Sequence, residues 1–311
     1  MIKIDLITGF LGSGKTTFIK KYAEYLLKYG YRIGILENDF GAVNVDMMLL
    51  QDLLSENCDI EMISGACDKD CHKRRFKTKL ISMAMRGFDR IIIEPSGIYD
   101  TDEFFDTLCE EPVCDKYETG NVICIADCGI DRNLSVNSKY ILSSQLSVSG
   151  RIVMSRCQEY DDKTVSESIN FLCGLMKEYG CEDDPENRFT VKDWNRLNDE
   201  DFKVISECGY FPDNHEKRWF DMNKSFDSLY FMNLHISQDE ICNKIPEMFN
   251  DRKCGNIFRV KGFMRVEGDK WIEINAVSGK ISVRPINNGQ DVFIVIGENL
   301  DRQQVEEYFK E

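Results

Sequence analysis

The sequence has no long hydrophobic run: none of its apolar stretches approaches the roughly 18 residues that a membrane-spanning helix needs. Positive charge is also scarce, because 39 lysine and arginine residues stand against 54 aspartate and glutamate residues, for a formal net charge of −15. This balance leaves no broad basic surface for nucleic acid or for an anionic membrane. We therefore expect neither nucleic acid nor a membrane among the partners.

The first nine residues lack the pattern of a secretory signal peptide, and the sequence shows no internal repeat and no low-complexity tract. Cysteine, by contrast, is abundant: 13 residues are scattered through the predicted strands and helices. In the absence of a secretion signal, this usage favours a reducing environment in which most thiols are buried and inert. The sequence thus predicts a cytoplasmic protein in which only particular spacings can mark cysteine ligands.

The most informative motif is the segment Gly9–Thr17, which reads GFLGSGKTT and fits the phosphate-binding pattern G-x-x-x-x-G-K-[ST]. The apolar segment Ile4–Ile7 before it predicts a buried strand, and Thr16–Tyr29 predicts a helix closed by Gly30. A glycine-rich loop at a helix N-terminus offers backbone N–H groups and the positive end of the helix dipole to phosphate groups. The sequence therefore predicts a phosphate site at this loop.

The motif predicts which residues of this segment contact the phosphates and which binds the metal ion. We expect a solvent-facing Lys15 to reach the β- and γ-phosphates, and the Thr16 hydroxyl to bind Mg²⁺. The residues predicted to hold phosphates are Gly12, Ser13, Gly14, Lys15 and Thr17.

The chain of 311 residues is long enough for one large domain or two ordinary ones. Residues 1–182 alternate short apolar runs with helical patterns, which predicts βαβ units and a mostly parallel sheet with ligands at its carboxyl edge. Residues 183–225 are polar and predict a linker or boundary region with one helix. Residues 226–311 predict strands flanked by two helices. The predicted fold class is α/β: a P-loop NTPase domain followed by a smaller α+β domain.

Two acidic motifs follow predicted strands. Glu37 and Asp39 lie in the segment ENDFG, and Glu94 ends the apolar run IIIE. Near a phosphate loop, such acids can complete Mg²⁺ coordination or position the attacking water. The alternatives are a polar turn closed by Gly41 for the first motif and a solvent-seeking acid for the second. Gly97, three residues after Glu94, can offer its backbone N–H to a γ-phosphate.

A third cluster, GACDKDCH, brings two cysteines and a histidine together. Cys67 and Cys71 are four residues apart, so on a helix they share a face and can bind Zn²⁺ or another transition metal. His72, Cys58 or an acid would complete the site. No second pair follows at a standard zinc interval, so a chance pair in a cysteine-rich chain is the alternative.

These motifs resemble those of the CobW-type GTPases, relatives of the HypB and UreG nickel-insertion proteins. The resemblance covers nearly the whole chain and rests on the order of its motifs. They are Ile7–Thr17 (ITGFLGSGKTT), Asn38–Gly41 with Asp46 (a first switch like NEFG), Glu94–Gly97 (a second switch like ETSG), Arg259–Phe263 (like RxKGF) and Ile296–Leu300 (the closing strand-to-helix turn).

The sequence departs from the family pattern in two places. The family's GCxCC metal motif is replaced by GACDKDC, which has fewer and differently spaced thiols. Its base-reading NKxD motif is replaced by Ser155-Arg156-Cys157-Gln158, which lacks the aspartate that accepts hydrogen bonds from guanine. The metal and the preference for guanine over adenine therefore stay open.

The resemblance implies a nucleotide switch with slow hydrolysis that acts in metal delivery or metallocofactor assembly. Its cofactors would be Mg²⁺ and GTP, with ATP as the alternative, and its partner a client metalloprotein or an assembly enzyme; a homodimer stays open. The other function in view is a nucleotide-responsive binding module with negligible turnover that docks a corrinoid- or metal-dependent enzyme.

The implied site residues fall into three groups. The catalytic residues are Lys15, Asp39, Asp46 and Glu94; the base-side residues are Ser155 and Arg156; and the metal ligands are Thr16, Asp39 and Glu94 for Mg²⁺ and Cys67, Cys71 and His72 for a transition metal.

Overall fold

The computed structural model describes residues 1–38, 47–63, 69–181, 185–211, 226–232, 234, 236–266, 270–286, 289 and 291–310. Contacts between residues divide the chain into two compact units, Met1–Arg218 and Trp219–Glu311. The described residues 185–211 belong to the first unit, although their polar composition predicts a linker. The domain boundaries drawn from composition stay a prediction.

The first unit is built on a seven-stranded sheet with the order β3-β2-β4-β1-β5-β6-β7, in which each strand pair is parallel. This arrangement confirms the predicted P-loop NTPase fold class. Its strands are β1 (Ile2–Thr8), β2 (Ile33–Asn38), β3 (Cys58–Ile63), β4 (Arg90–Pro95), β5 (Tyr117–Asp127), β6 (Arg151–Ser155) and β7 (Phe189–Thr190). Its helices are α1 (Lys15–Lys28), α2 (Met47–Leu50), α3 (Lys69–Ala84), α4 (Thr101–Leu108), α5 (Val136–Ser147), α6 (Asp162–Glu178) and α7 (Asp199–Ser206).

Hydrophobic clusters cover both faces of this sheet, because neighbouring strand residues point to opposite sides. On β1, Ile7 packs into one cluster with Phe18 of α1, whereas Leu6 packs into the other with Phe76 and Phe104. The central strands are therefore apolar on both faces, as expected for a parallel sheet. This packing fixes the carboxyl ends of the strands along one edge.

The helical pattern of the sequence predicts a helix over Arg75–Met85. Helix α3 begins earlier, at Lys69, about 1.7 turns before Arg75. His72 accounts for the difference, because it continues the buried face formed by Phe76 and Leu80 at intervals of four residues. The buried face thus extends toward the N-terminus of α3, into a segment in which lysines and arginines obscure the helical pattern of apolar residues.

A buried polar network joins α1 to three strands. Asp5 on β1 accepts hydrogen bonds from Arg90 Nη1 at 2.7 Å, from Tyr22 Oη at 2.9 Å and from the Asn121 amide at 2.7 Å. Burial raises the pKa of Asp5, and the charge of Arg90 opposes that rise. The network ties α1, which begins with the phosphate-loop lysine, to β1, β4 and β5.

The second unit contains an antiparallel five-stranded sheet with the order β11-β10-β9-β12-β8. Ile241 and Ile245 of the helix Gln238–Asn250 pack in one cluster with Val260 and Phe293 of the sheet, which confirms the α+β class. The elements are β8 (Asp227–Met232), α8 (Gln238–Asn250), β9 (Asn256–Val266), β10 (Lys270–Val277), β11 (Lys280–Ile286), β12 (Val292–Glu298) and α9 (Arg302–Glu307).

The RVKGF segment of β9 has a structural role in this sheet. Lys261 is buried and lies 3.4 Å from the carboxylate of Glu273 on β10. A Cβ atom at Gly262 would lie 2.1 Å from the ring of Phe293, so only glycine leaves room for that side chain. In the part of the chain that the structure describes, no helix is long and apolar enough to cross a membrane.

Candidate functional site

The candidate site lies where β4, β1, β5 and β6 end side by side at the carboxyl edge of the first sheet. Parallel strands bring the segments that follow them together at this edge, which is where open α/β sheets bind ligands. The loop after β1 contains the phosphate-binding motif. Glu94 lies at the end of β4, Asp127 at the end of β5 and Ser155 at the end of β6.

The loop between β1 and α1 requires glycine at two positions. Gly9 has a φ of 141°, and a Cβ there would lie 2.2 Å from the carbonyl oxygen of Ile125. Gly14 has a φ of 102° and caps the N-terminus of α1. These two conformations turn the loop tightly enough to leave the first N–H groups of α1 at its mouth, which is the arrangement that binds anions.

Lys15 and Thr16 form the first turn of α1. The Lys15 ammonium donates a hydrogen bond to the Gly9 carbonyl at 3.0 Å, and the side chain is 7% exposed. The expectation of a solvent-facing lysine is therefore wrong: the loop curls over the side chain and supplies its acceptor. The Thr16 hydroxyl donates to Glu94 Oε1 at 2.7 Å, which joins two predicted Mg²⁺ ligands that are 78 residues apart.

Two further residues of the phosphate-binding motif, Ser13 and Thr17, differ in solvent exposure. The buried Ser13 hydroxyl has no hydrogen-bond partner within the described parts of the chain. Thr17, one residue further along α1 than Thr16, is exposed.

The segment after β4 lies against the phosphate loop. A Cβ at Gly97 would lie 2.7 Å from the Leu11 nitrogen, so the backbones of the two segments are in close contact. On the other side of β4, Glu37 of β2 lies in register with Glu94. Both carboxylates are buried at the same edge of the sheet. Asp39 and Asp46, which follow β2, lie outside the described residues.

On the other side of the loop, Arg156 connects β6 to the phosphate motif. Its backbone is left-handed, with a φ of 59°, and its Nη2 donates to the Gly12 carbonyl at 2.8 Å. Its guanidinium also forms an ion pair with Asp127. The resemblance implies Arg156 as a base-side residue. The structure links its guanidinium to Asp127, which ends the apolar strand β5, and to the phosphate loop.

The structure also reveals Trp194 at this site, in the stretch that the composition marks as a linker. Its indole N–H donates to the Met154 carbonyl at 2.9 Å, and its ring packs edge-on against Phe18 at 5.5 Å. A Cβ at Gly14 would lie 3.2 Å from this ring. No spacing or motif in the sequence indicates this contact, which braces the start of α1.

The predicted transition-metal cluster is described only in part. Cys67 lies outside the described residues, Cys71 is half-buried, and His72 is fully buried on the inner face of α3. Adjacent helical residues point about 100° apart, so Cys71 and His72 lie on different faces. Burial and the charge of Arg75 lower the pKa of His72 to about 4. Among the described residues, no three cysteine, histidine or acidic side chains form a metal cluster.

Comparison with known proteins identifies the family. A family model described as the CobW/HypB/UreG nucleotide-binding domain matches residues 3–177, and one described as the cobalamin synthesis protein cobW C-terminal domain matches residues 240–311. The first match covers more than half of the chain. This chain belongs to the CobW/HypB/UreG family. The match confirms the resemblance that the sequence motifs indicate and identifies the first unit as the P-loop nucleotide-binding domain of that family.

Several relatives carry names that refer to zinc. The zinc chaperone YjiA of Escherichia coli K12 is 28% identical over 162 residues, which are 50% of this chain and 49% of that protein. The zinc chaperone YeiR of the same organism is 31% identical over 175 residues, which are 54% of this chain and 49% of that protein. The chain therefore spans about half the length of the curated relatives it matches.

Among solved structures, the Zn(II)-bound YjiA GTPase from E. coli aligns over 99% of this chain and 98% of its own length. Its sequence identity is 18% and its TM-score 0.40.

Proposed function

We propose that this protein is a GTP-dependent switch with slow hydrolysis that acts in metal delivery or metallocofactor assembly in the cytoplasm. The observation that carries the proposal is the hydrogen bond from Thr16 to Glu94, which joins the phosphate loop with its buried Lys15 to the end of β4 at the carboxyl edge of the sheet. The names of the zinc-chaperone relatives support the metal-delivery half of the proposal. The client would be a metalloprotein or an assembly enzyme, and the active form a monomer or a homodimer.

The residues at this junction fit a magnesium nucleotide. The Thr16 hydroxyl and the Glu94 carboxylate lie 2.7 Å apart and are the oxygen ligands that Mg²⁺ prefers. These two residues, with Asp39, would hold the ion, which supplies charge neutralisation at the β- and γ-phosphates when bound.

The phosphate loop supplies the remaining contacts. The amides of Gly12, Ser13 and Gly14 and the ammonium of Lys15 would bind the phosphates, with Thr17 at their edge. The buried Ser13 hydroxyl would gain a phosphate oxygen as its acceptor, because burial without a partner is costly. Gly97, in contact with Leu11, would offer its N–H to the γ-phosphate. Asp39 or Asp46 would orient the attacking water.

The base-side loop predicts weak discrimination between guanine and adenine. Gln158, exposed after β6, replaces the aspartate that accepts two hydrogen bonds from guanine, and its amide can donate as well as accept. Loss of a charged bidentate contact should reduce the GTP-over-ATP preference about ten- to hundredfold, or roughly 1.5–3 kcal/mol. Competition of GTP, ATP and ITP for one labelled analogue measures this preference. A GTP preference above about a thousandfold would contradict our account of Ser155 and Arg156 as the base-side residues.

We further propose that Cys67 and Cys71 bind Zn²⁺ or another thiophilic ion, and that this affinity depends on the bound nucleotide. An acid would complete the site in place of His72, which is buried on another face of α3. The position of the two cysteines between the two switch segments motivates the coupling. By linkage, an ion that binds the two nucleotide states differently must alter nucleotide affinity by the same factor.

The metal proposal is tested with the Cys67→Ser/Cys71→Ser variant. Zn²⁺ titration should show the loss of one site, and GTP affinity should then no longer respond to Zn²⁺. The Cys109→Ser/Cys114→Ser variant, which removes two other thiols of the first unit, is the matched control and should keep the site. Equal zinc content in the first variant and the parent would reject Cys67 and Cys71 as ligands.

The second candidate function is a binding module with negligible turnover that docks a corrinoid- or metal-dependent enzyme and responds to nucleotide. The altered segment Ser155-Arg156-Cys157-Gln158 favours this second function, because it lacks the guanine-reading aspartate of the GTPase family and a module that only binds nucleotide needs less selectivity for the base. Phosphate release over many turnovers separates the two functions.

A further inference from the structure

Two cysteines that the proposed mechanism does not use meet beside the base-side loop. Cys128 follows Asp127 at the end of β5, and Cys157 follows Arg156 after β6. Their sulfur atoms lie 3.4 Å apart, and the Cys128 thiol donates to the Cys157 sulfur. The thiol pair thus lies one residue beyond the ion pair that holds the base-side loop to β5.

The two cysteines differ in mobility and access. Cys128 is buried, its amide donates to the Ser155 carbonyl at 3.2 Å, and its carbonyl accepts from the Ser168 hydroxyl at 2.6 Å. Cys157 is half-buried and begins a single 3₁₀ turn after the left-handed Arg156. A reagent from solvent therefore reaches Cys157 first, and any approach of the two sulfurs has to move Cys157.

The reactivity of the two thiols follows the same order. The hydrogen bond from Cys128 lowers the pKa of Cys157, whereas donating that bond and burial hold the pKa of Cys128 well above its usual range. By comparison, burial raises the pKa of Cys124, on the same strand as Asp127, to about 12, although the charge of Lys15 opposes that rise. Because the thiolate is the nucleophile, Cys157 is the attacking group of the pair.

We propose that Cys128 and Cys157 form a reversible dithiol–disulfide couple, and that closing the disulfide weakens nucleotide binding. The oxidant is a low-molecular-weight disulfide of the glutathione class. The Cys157 thiolate attacks one of its sulfurs, which forms a mixed disulfide and releases one thiol. The Cys128 sulfur, on losing its proton, then attacks the Cys157 sulfur, breaks the mixed disulfide and releases the second thiol. Two electrons pass from the cysteines to the oxidant, and their two protons end on the released thiols.

The consequence for the nucleotide rests on the proposed function. A disulfide requires a sulfur–sulfur distance of about 2.05 Å, so Cys157 has to move toward β5. Arg156, its neighbour in sequence, would move with it, and the hydrogen bond from the guanidinium to the Gly12 carbonyl would be strained or lost. Since Gly12 belongs to the phosphate loop, closure would disturb both the base and the phosphate contacts.

The test begins with the reduced full-length protein and glutathione disulfide. Mass spectrometry of non-reduced peptides should find the Cys128–Cys157 cross-link in the parent and in Cys109→Ser, which removes an exposed thiol elsewhere. In Cys128→Ala, the reaction should stop at the glutathione adduct on Cys157, and Cys157→Ser should form neither product. A parent that accumulates only the adduct on Cys157, or that links other cysteines instead, would overturn the couple.

The second part of the test measures GTP affinity before and after oxidation. We expect the cross-linked parent to bind about tenfold more weakly, with full recovery after dithiothreitol, and Cys157→Ser to be insensitive to the oxidant. An unchanged affinity in the cross-linked parent would overturn the link to the nucleotide. Failure of the reduced parent to bind any nucleotide would reject the proposed function instead, and the cross-link alone would then decide whether the pair is a couple.

Discussion

Replacing Lys15 with alanine should weaken triphosphate binding by at least about a hundredfold while the protein stays folded. A hydrogen bond to a charged group contributes roughly 1.5–3 kcal/mol, and a phosphate-loop lysine contacts more than one phosphate oxygen. The fold should survive, because the Lys15 ammonium donates its hydrogen bond to the Gly9 carbonyl within the phosphate loop and not to the core of the sheet. Alanine also suits the first turn of α1. Calorimetric titration and circular dichroism measure the two properties.

Lys20→Ala is the matched control for this experiment. Lys20 lies on the same helix but is partly exposed and pairs with Asp52 at 2.9 Å. Such a surface pair contributes little to stability, so this variant should keep both its fold and its nucleotide affinity. A folded Lys15→Ala protein with parental affinity would remove the phosphate site from our account.

The second large effect concerns stability. Arg90→Met should lower the free energy of unfolding by about 3–4 kcal/mol at pH 7, because it leaves the carboxylate of Asp5 buried without its counter-charge. Asp5 is fully buried and the Arg90 side chain is 8% exposed, so solvent offers little compensation. Uptake of a proton by Asp5 limits the loss at pH 7 to about 4 kcal/mol. Urea unfolding of parent and variant measures the difference.

The double variant Asp5→Asn/Arg90→Met is the control, since asparagine keeps an acceptor for Tyr22 and for the Asn121 amide. It should recover much of the lost stability. The difference in the free energy of unfolding between Arg90→Met and the parent should also decrease as the pH falls from 7 toward 5. Burial already raises the folded-state pKa of Asp5 in the parent, and loss of the opposing Arg90 charge raises it further in the variant, so the additional penalty develops as the pH rises through that interval. An Arg90→Met protein as stable as the parent would contradict the stabilising role of the Asp5–Arg90 ion pair.

The sequence predicted the parts of the structure that local patterns encode. Alternation of apolar strands and amphipathic helices predicted the parallel sheet, and the motif at Gly9–Thr17 predicted the loop before α1. The order of strands then explains why Thr16 meets Glu94: β1 and β4 are neighbours and parallel, so the segments after them converge. That contact follows from the fold class and the two motifs together.

The contacts that the sequence did not predict are those between side chains far apart in the chain. Arg156 reaches the Gly12 carbonyl over 144 residues, and Trp194 braces the start of α1 from a stretch that reads as a linker. No spacing pattern in the sequence indicates either contact, because each depends on which loops the fold brings together. The sequence did not predict the burial of Lys15 for a similar reason. A motif identifies residues and their positions along the chain, but it does not show how the loop folds over a side chain.

The most direct test of the central claim is release of inorganic phosphate from GTP over many turnovers in the presence of Mg²⁺. Our account predicts that the parent releases many more phosphate ions than there are protein molecules, at a slow rate on the order of 10⁻³–10⁻² s⁻¹. It also predicts that Lys15→Ala releases none above background while Lys20→Ala matches the parent. Tight GTP binding by the parent with no release beyond one phosphate per protein molecule would contradict a hydrolysing switch and favour the binding module.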